Sequence, residues 1–159
     1  MQNTIQTLEP KTLIGLSQNM SLANNLTGPL WQGFMPRRND ITNRLTSGHI
    51  SMQVYDKGET NRFSPATRFD QWAAVEVADD LTIPKGMAAY SLAGGLYAVF
   101  VHRGPASAFG KTMAFIFGCW LPGSDYELDN REHFEVLLEG YNPMNPQAQE
   151  EVWIPIKAK

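Results

Sequence analysis

Two stretches far apart in the chain follow one plan, and this constrains the fold more than any other feature. HISMQVYD (49–56) and HFEVLLEG (133–140) both begin with His and set apolar residues on the same alternate positions. That is the period-two pattern of a half-buried strand. Each follows a helical span and precedes a further strand. In the first half KTLIGLSQNM (11–20) reads as a strand and RFDQWAAVEV (68–77) as the closing one. Between them NNLTGPLWQGFMPRRNDITNRL (24–45) carries helical spacing, with Thr27 as N-cap, Pro29 in the first turn and Pro36 kinking or splitting the helix. In the second half GMAAYSLAGGLYAVFVHRG (86–104) is strand material broken at Gly94 and Gly95, SAFGKTMAFIFGCWL (107–121) is helical, and EEVWIPIK (150–157) closes. The expected fold class is α+β. It is a tandem duplication of two βαββ modules, about 1–80 and about 81–159, joined at ADDLTIPK (78–85) into a single domain over 1–159. Pseudo-twofold symmetry would leave a central cleft between them. In the overlay His49 matches His133 and Tyr55 matches Glu139, so Tyr55 and Glu139 are expected to face the same cleft.

Several chemistries are excluded or weak. The formal net charge is −3, which argues against a nucleic-acid backbone as direct partner, since such binders carry a basic patch or stripe. A single cysteine, Cys119, allows no internal disulfide and suits a reducing compartment. The N-terminus has no apolar run, and no span of about 18 apolar residues is present to cross a bilayer. A cytoplasmic location is expected. GPASAFGKT (104–112) resembles a P-loop at a glance, but five residues separate Gly104 from Gly110 where the motif needs about four, and Pro105 removes a backbone donor. It reads as a turn leading into a helix. His49, His102 and His133 are far apart and show no metal-ligand spacing. No G-x-S-x-G elbow occurs, and Cys119 in an apolar helix reads as a packing residue. No metal, cofactor or catalytic residue is assigned.

What remains is a surplus of rings and a face with carboxylates. Charged residues are 18% of the chain against about 25% in an average domain, while aromatics reach 11% and include four Trp. Trp31, Phe34, Tyr55, Trp72, Tyr97, Trp120, Tyr141 and Trp153 exceed what one core needs, although core packing is the commoner fate of any one ring. Along HFEVLLEGYN, Phe134, Val136 and Leu138 share an apolar face that reads as core. Glu135, Leu137, Glu139 and Tyr141 share the other. A carboxylate in an aromatic-lined cleft, with few Lys or Arg near it in sequence, calls for a cation to offset its desolvation, and Trp and Tyr faces attract cations as well. Glu139 is the candidate. The alternative is a solvated strand-end residue, and the sequence leaves open whether Glu135 or Glu76 shares the cleft.

The stretches GLYAVFVHRGP, FGCWLP, YEL, HFEVLLEGYNP and EEVWIPIK, in this order, resemble the gyrase-inhibitor-like effector-binding domain, which is also found attached to AraC-type and MerR-type multidrug-responsive regulators. GPLWQGFMPRRNDITNRL and WAAVEV resemble its stand-alone subgroup associated with integron gene cassettes. The resemblance implies two βαββ modules around a cleft that binds lipophilic, often cationic, small molecules. It implies that Glu139 meets the positive charge, with aromatic walls from Trp31, Phe34, Tyr55, Tyr97 and Trp120. Family members often carry an aromatic at the position of Leu137 and an acid at that of Leu138, and both are leucine here. With a first strand expected near residues 5–11, no helix-turn-helix is expected ahead of the domain. The resemblance then implies sequestration of ligand or action through a separate transcription regulator, as monomer or homodimer. Two other readings stand beside it. Some relatives hydrolyse strained electrophiles with the pocket glutamate as acid–base, and the name-giving relatives inhibit DNA gyrase by protein contact.

Overall fold

The computed structural model describes residues 2–59 and 62–159. Nine strands form one antiparallel sheet: β1 (Asn3–Leu8), β2 (Lys11–Ser21), β3 (His49–Tyr55), β4 (Arg68–Val77), β5 (Ala88–Leu92), β6 (Gly95–Arg103), β7 (Tyr126–Leu128), β8 (His133–Leu137) and β9 (Gln149–Ala158). The order is β1-β6-β9-β8-β3-β4-β2-β5, with β7 paired to β9. It is symmetric about the central β3–β8 pair, in which Ser51 lies opposite Glu135. Each flank is closed by a strand from the other half of the chain, β1 lying on β6 and β5 on β2. The α+β class follows, with two short helices, α1 (Thr27–Phe34) and α2 (Phe109–Phe115), on the sheet. Among the described residues no helix is long and apolar enough to cross a membrane.

The strand period sorts the core into layers. On the inner face Leu8, Leu13, Met52, Trp72, Leu92, Tyr97, Phe134 and Trp153 form one cluster, drawn from all eight strands of the main ladder. The sheet therefore curls around a shared interior. On the outer face there are two separate clusters. One packs Phe34 of α1 against Ile14, Ala73 and Val75 of β2 and β4. The other packs Ile116, just after α2, against Ala98, Phe100, Val152 and Ile154 of β6 and β9.

Local chemistry sets where the helices stop. Thr27 is the first helical residue rather than the cap, and its N–H donates to the Asn25 side chain at 2.9 Å. Pro36 does split the span: α1 ends at Phe34 and a 3-10 turn runs over Met35–Asp40. Ile41 and Leu45 lie beyond it. The second helix continues as a π-helical turn over Ile116–Trp120. β8 is shorter than its alternation suggests. It ends at Leu137, and a turn closed by Tyr141 N–H to Leu138 O (3.0 Å), with Gly140 at φ +79°, follows. Leu138 is consequently 58% exposed and not core.

β2 and β4 approach closely at Gly15, which lies opposite Ala74 in their ladder. A Cβ built there falls 2.1 Å from the Ala73 carbonyl oxygen and 2.8 Å from the Ala74 Cβ. Gly15→Ala is expected to destabilise the protein by about 1–3 kcal/mol, the usual cost of overpacking, read as a lower urea midpoint with an unchanged slope.

Candidate functional site

Each helix covers one flank of the outer face, and neither outer cluster includes a side chain of β3 or β8. The outward side chains of those two central strands thus form a strip without a helix over it. At one end the strip is plugged. Arg62, 3% exposed, donates from Nη1 to the Arg131 carbonyl (2.9 Å) and to His133 Nε2 (2.5 Å), and lies over the Tyr55 ring. Because guanidinium only donates, His133 Nε2 must be the unprotonated acceptor. Burial first, then Arg62 and Arg131, push the His133 pKa down to about 3.

At the other end the strip is open, as a cleft of about 970 Å³. Its floor is His49 and Ser51 of β3 with Glu135 and Leu137 of β8, joined by Glu150 from β9. Trp31 and Met35 wall it from the α1 side and Ala106 and Phe109 from the α2 side. The 138–143 turn overhangs it through Glu139, Tyr141 and Pro143, and Arg38 and Arg44 stand at the α1 end.

The floor carries the electrostatic tension. Glu135 accepts only one long bond, from Gln53 Nε2 at 3.4 Å, and among the described residues no cation lies within ion-pair distance. Burial chiefly, and then the charge of Glu150, raise its pKa to about 8. Glu150 is also raised, by burial, and opposed by a hydrogen bond from the Tyr141 hydroxyl and by His102. His49 is pushed the other way by burial, Arg38 and Arg44, against a smaller pull from Glu139. Its Nε2 is buried without a hydrogen-bond partner. Among the described residues no cluster of His, Cys, Asp and Glu is arranged to hold a metal ion.

Of the residues singled out from sequence, Glu139, Trp31, Leu137 and Tyr141 border the cleft. Glu139, however, lies beyond the end of β8, exposed in the turn. The carboxyl at the floor is Glu135. Five rings lie elsewhere. Phe34 is fully buried behind Trp31, edge-on at 5.8 Å. Tyr55 sits at the plugged end against Phe69 and Arg62, so it does not share a cleft with Glu139. Trp72 and Tyr97 point to the inner face, Trp72 against Tyr90 and Tyr97 against Phe134 and Trp153. Trp120 packs edge-on to Phe100 beneath the π-helical turn. Glu76 is outside the cleft, ion-paired to Lys11 at 3.0 Å. Glu150, Phe109, His49, Arg38 and Arg44 were not foreseen. For Glu135 the signal was available as an acid in mid-strand between Phe134 and Val136.

A family profile described as a GyrI-like small molecule binding domain matches residues 1–157. The transcriptional regulator BrlR of Pseudomonas aeruginosa is 25% identical over 150 residues, covering 91% of this chain and 52% of the regulator. The chain therefore spans about half the length of that relative. Among solved structures, SAV2435 bound to tetraphenylphosphonium superposes with a TM-score of 0.75 at 18% identity, covering 99% of this chain and 94% of the other. An integron cassette protein from the mobile metagenome of Vibrio cholerae gives 0.68 at 13% identity, with 98% and 95% covered.

The field at the α1 end is measurable through His49. Its ring protons are expected to titrate in NMR below the ordinary 6.5, and Arg44→Gln is expected to move that midpoint upward.

Proposed function

The chain belongs to the GyrI-like small molecule binding domain family, and on that premise we propose that its cleft binds lipophilic cations, with Glu135 rather than Glu139 as the counter-charge. The observation that carries this reading is Glu135 itself, a carboxyl on the floor of an apolar-walled cleft with no cation within ion-pair distance among the described residues. An unpaired carboxylate removed from water is costly, and the raised pKa expresses that cost. A permanent organic cation offsets it by Coulomb attraction in a poorly solvated site. Trp31 and Phe109 supply ring surface, with about 0.5–2 kcal/mol available where a charge sits over a ring face. Flat apolar walls suit varied outlines, so charge and bulk would decide selectivity. The tetraphenylphosphonium of the SAV2435 complex is a molecule of this kind. BrlR, a transcriptional regulator, supports a role of the domain in sensing ligand for transcription control.

A second reading draws on the same carboxyl. With its pKa raised to about 8, Glu135 holds a proton at neutral pH and would serve a hydrolase as general acid. Turnover of a strained electrophile that is lost in Glu135→Gln would favour this reading.

Titration of intrinsic fluorescence with tetraphenylphosphonium tests the main proposal. Glu135→Gln is expected to weaken binding about tenfold or more, equivalent to about 1.4 kcal/mol, and Glu139→Gln by much less. Equal affinities for wild type and Glu135→Gln would overturn it. The cation's charge is fixed, so wild-type affinity should rise with pH as Glu135 deprotonates toward its pKa of about 8, and the Gln variant should not follow.

Stability runs in the opposite sense. The folded pKa of Glu135 lies above its ordinary 4.5, so the folded state holds a proton that the unfolded chain has released. The contribution of Glu135 to stability is most favourable below 4.5 and declines as pH rises toward about 8. Glu135→Gln should match wild type in thermal melts near the acid end of that window and melt higher near its alkaline end.

A further inference from the structure

We propose that the cleft is built for zwitterionic amphiphiles, taking a cationic centre at Glu135 and an anionic group, a carboxylate or its like, at Arg38 and Arg44. This rests on the reading of Glu135 given above and adds a second charge to the ligand.

Both guanidiniums line the cleft and are partly buried. Arg38 donates to the Met35 carbonyl at 2.6 Å and Arg44 to the Asn39 side chain at 3.1 Å, both neutral acceptors. Among the described residues neither has a carboxylate within ion-pair distance. Four other cations do: Arg37 with Asp40, Arg131 with Asp129, Lys11 with Glu76 and Lys157 with Glu127. The arrangement is also held in place. Arg44 forms a backbone bridge to Val77, and the flanking Leu45 N–H donates to the Glu76 carbonyl at 3.0 Å, so the segment lies along the edge of β4.

A second, independent feature marks the same end of the cleft. His49 Nε2 is shielded from water and has no hydrogen-bond partner, while both arginines act on its ring. Two unpaired guanidiniums and an unsatisfied imidazole nitrogen thus meet in one place. Guanidinium offers planar, forked donors that suit a carboxylate. Glu135 and Glu150 occupy the floor of the same cavity and pair with neither arginine. Opposite charges held in one cleft and not neutralised by each other are complementary to a ligand that carries both. A simple cation would be attracted by the floor and repelled by the α1 end.

The test uses butyltriphenylphosphonium and carboxybutyltriphenylphosphonium, which differ by the carboxylate. Isothermal titration is run near neutral pH on wild type, Glu135→Gln and the double variant Arg38→Gln/Arg44→Gln. Wild type should bind the carboxylate probe more tightly, by about tenfold for one charge-assisted interaction. The double variant should bind that probe more weakly and the plain cation more tightly, opposite signs that loss of structure cannot produce. Glu135→Gln should weaken both. Binding of the plain cation that depends on Glu135, with no gain from the carboxylate, overturns this inference alone. Failure of both probes to bind overturns it together with the reading on which it rests.

Discussion

The pairing of β3 with β8 at the centre of the sheet is the constraint on which the rest of the molecule depends. It joins the two halves by backbone hydrogen bonds and sets Ser51 opposite Glu135. Each helix reaches only its own flank, because α1 packs on β2 and β4 and the end of the second helix packs on β6 and β9. The middle of the outer face is left without a helix over it, and the side chains there must be satisfied some other way. At one end the protein does this itself, with Arg62 and its carbonyl, imidazole and ring contacts. At the other it leaves a carboxyl and an imidazole nitrogen without adequate partners. Buried polar groups are ordinarily hydrogen-bonded, and His49 Nε2 in this cavity is an exception.

Architecture was more legible than site. Alternation identified β2, β3, β4 and β9, the glycine pair marked the break between β5 and β6, and Pro36 marked the end of α1. β1 carries little apolar signal, since Leu8 is its single buried residue. Glu139 was read as part of the strand for a local reason. Alternation continues through Leu138 and Glu139 in the letters, but backbone pairing stops at Leu137 and the chain turns. Period alone does not say where a ladder ends.

The rings show a different limit. Trp72 and Tyr97 are legitimate members of an aromatic surplus, yet both belong to the inner face, where the curled sheet needs bulk to fill its interior. Tyr55 shares the outward face with His49 and Ser51 and differs from them only in lying at the plugged end. Distinguishing them required the curl of the sheet and the position of Arg62, both set by contacts between residues far apart in sequence.

The exchange of edge strands has a consequence for the order in which the molecule can be assembled. β1 has no ladder partner until β6 exists, since Asn3 pairs with Phe100 and Leu8 with Gly95. A chain made from its N-terminus therefore carries an unmatched strand through the synthesis of the whole first half. β5 can dock on β2 as soon as it emerges, whereas β3 waits for β8, its partner on the side away from β4. Neither half finishes its edges alone, so the two are expected to consolidate late and together, at the slow pace of non-local pairing.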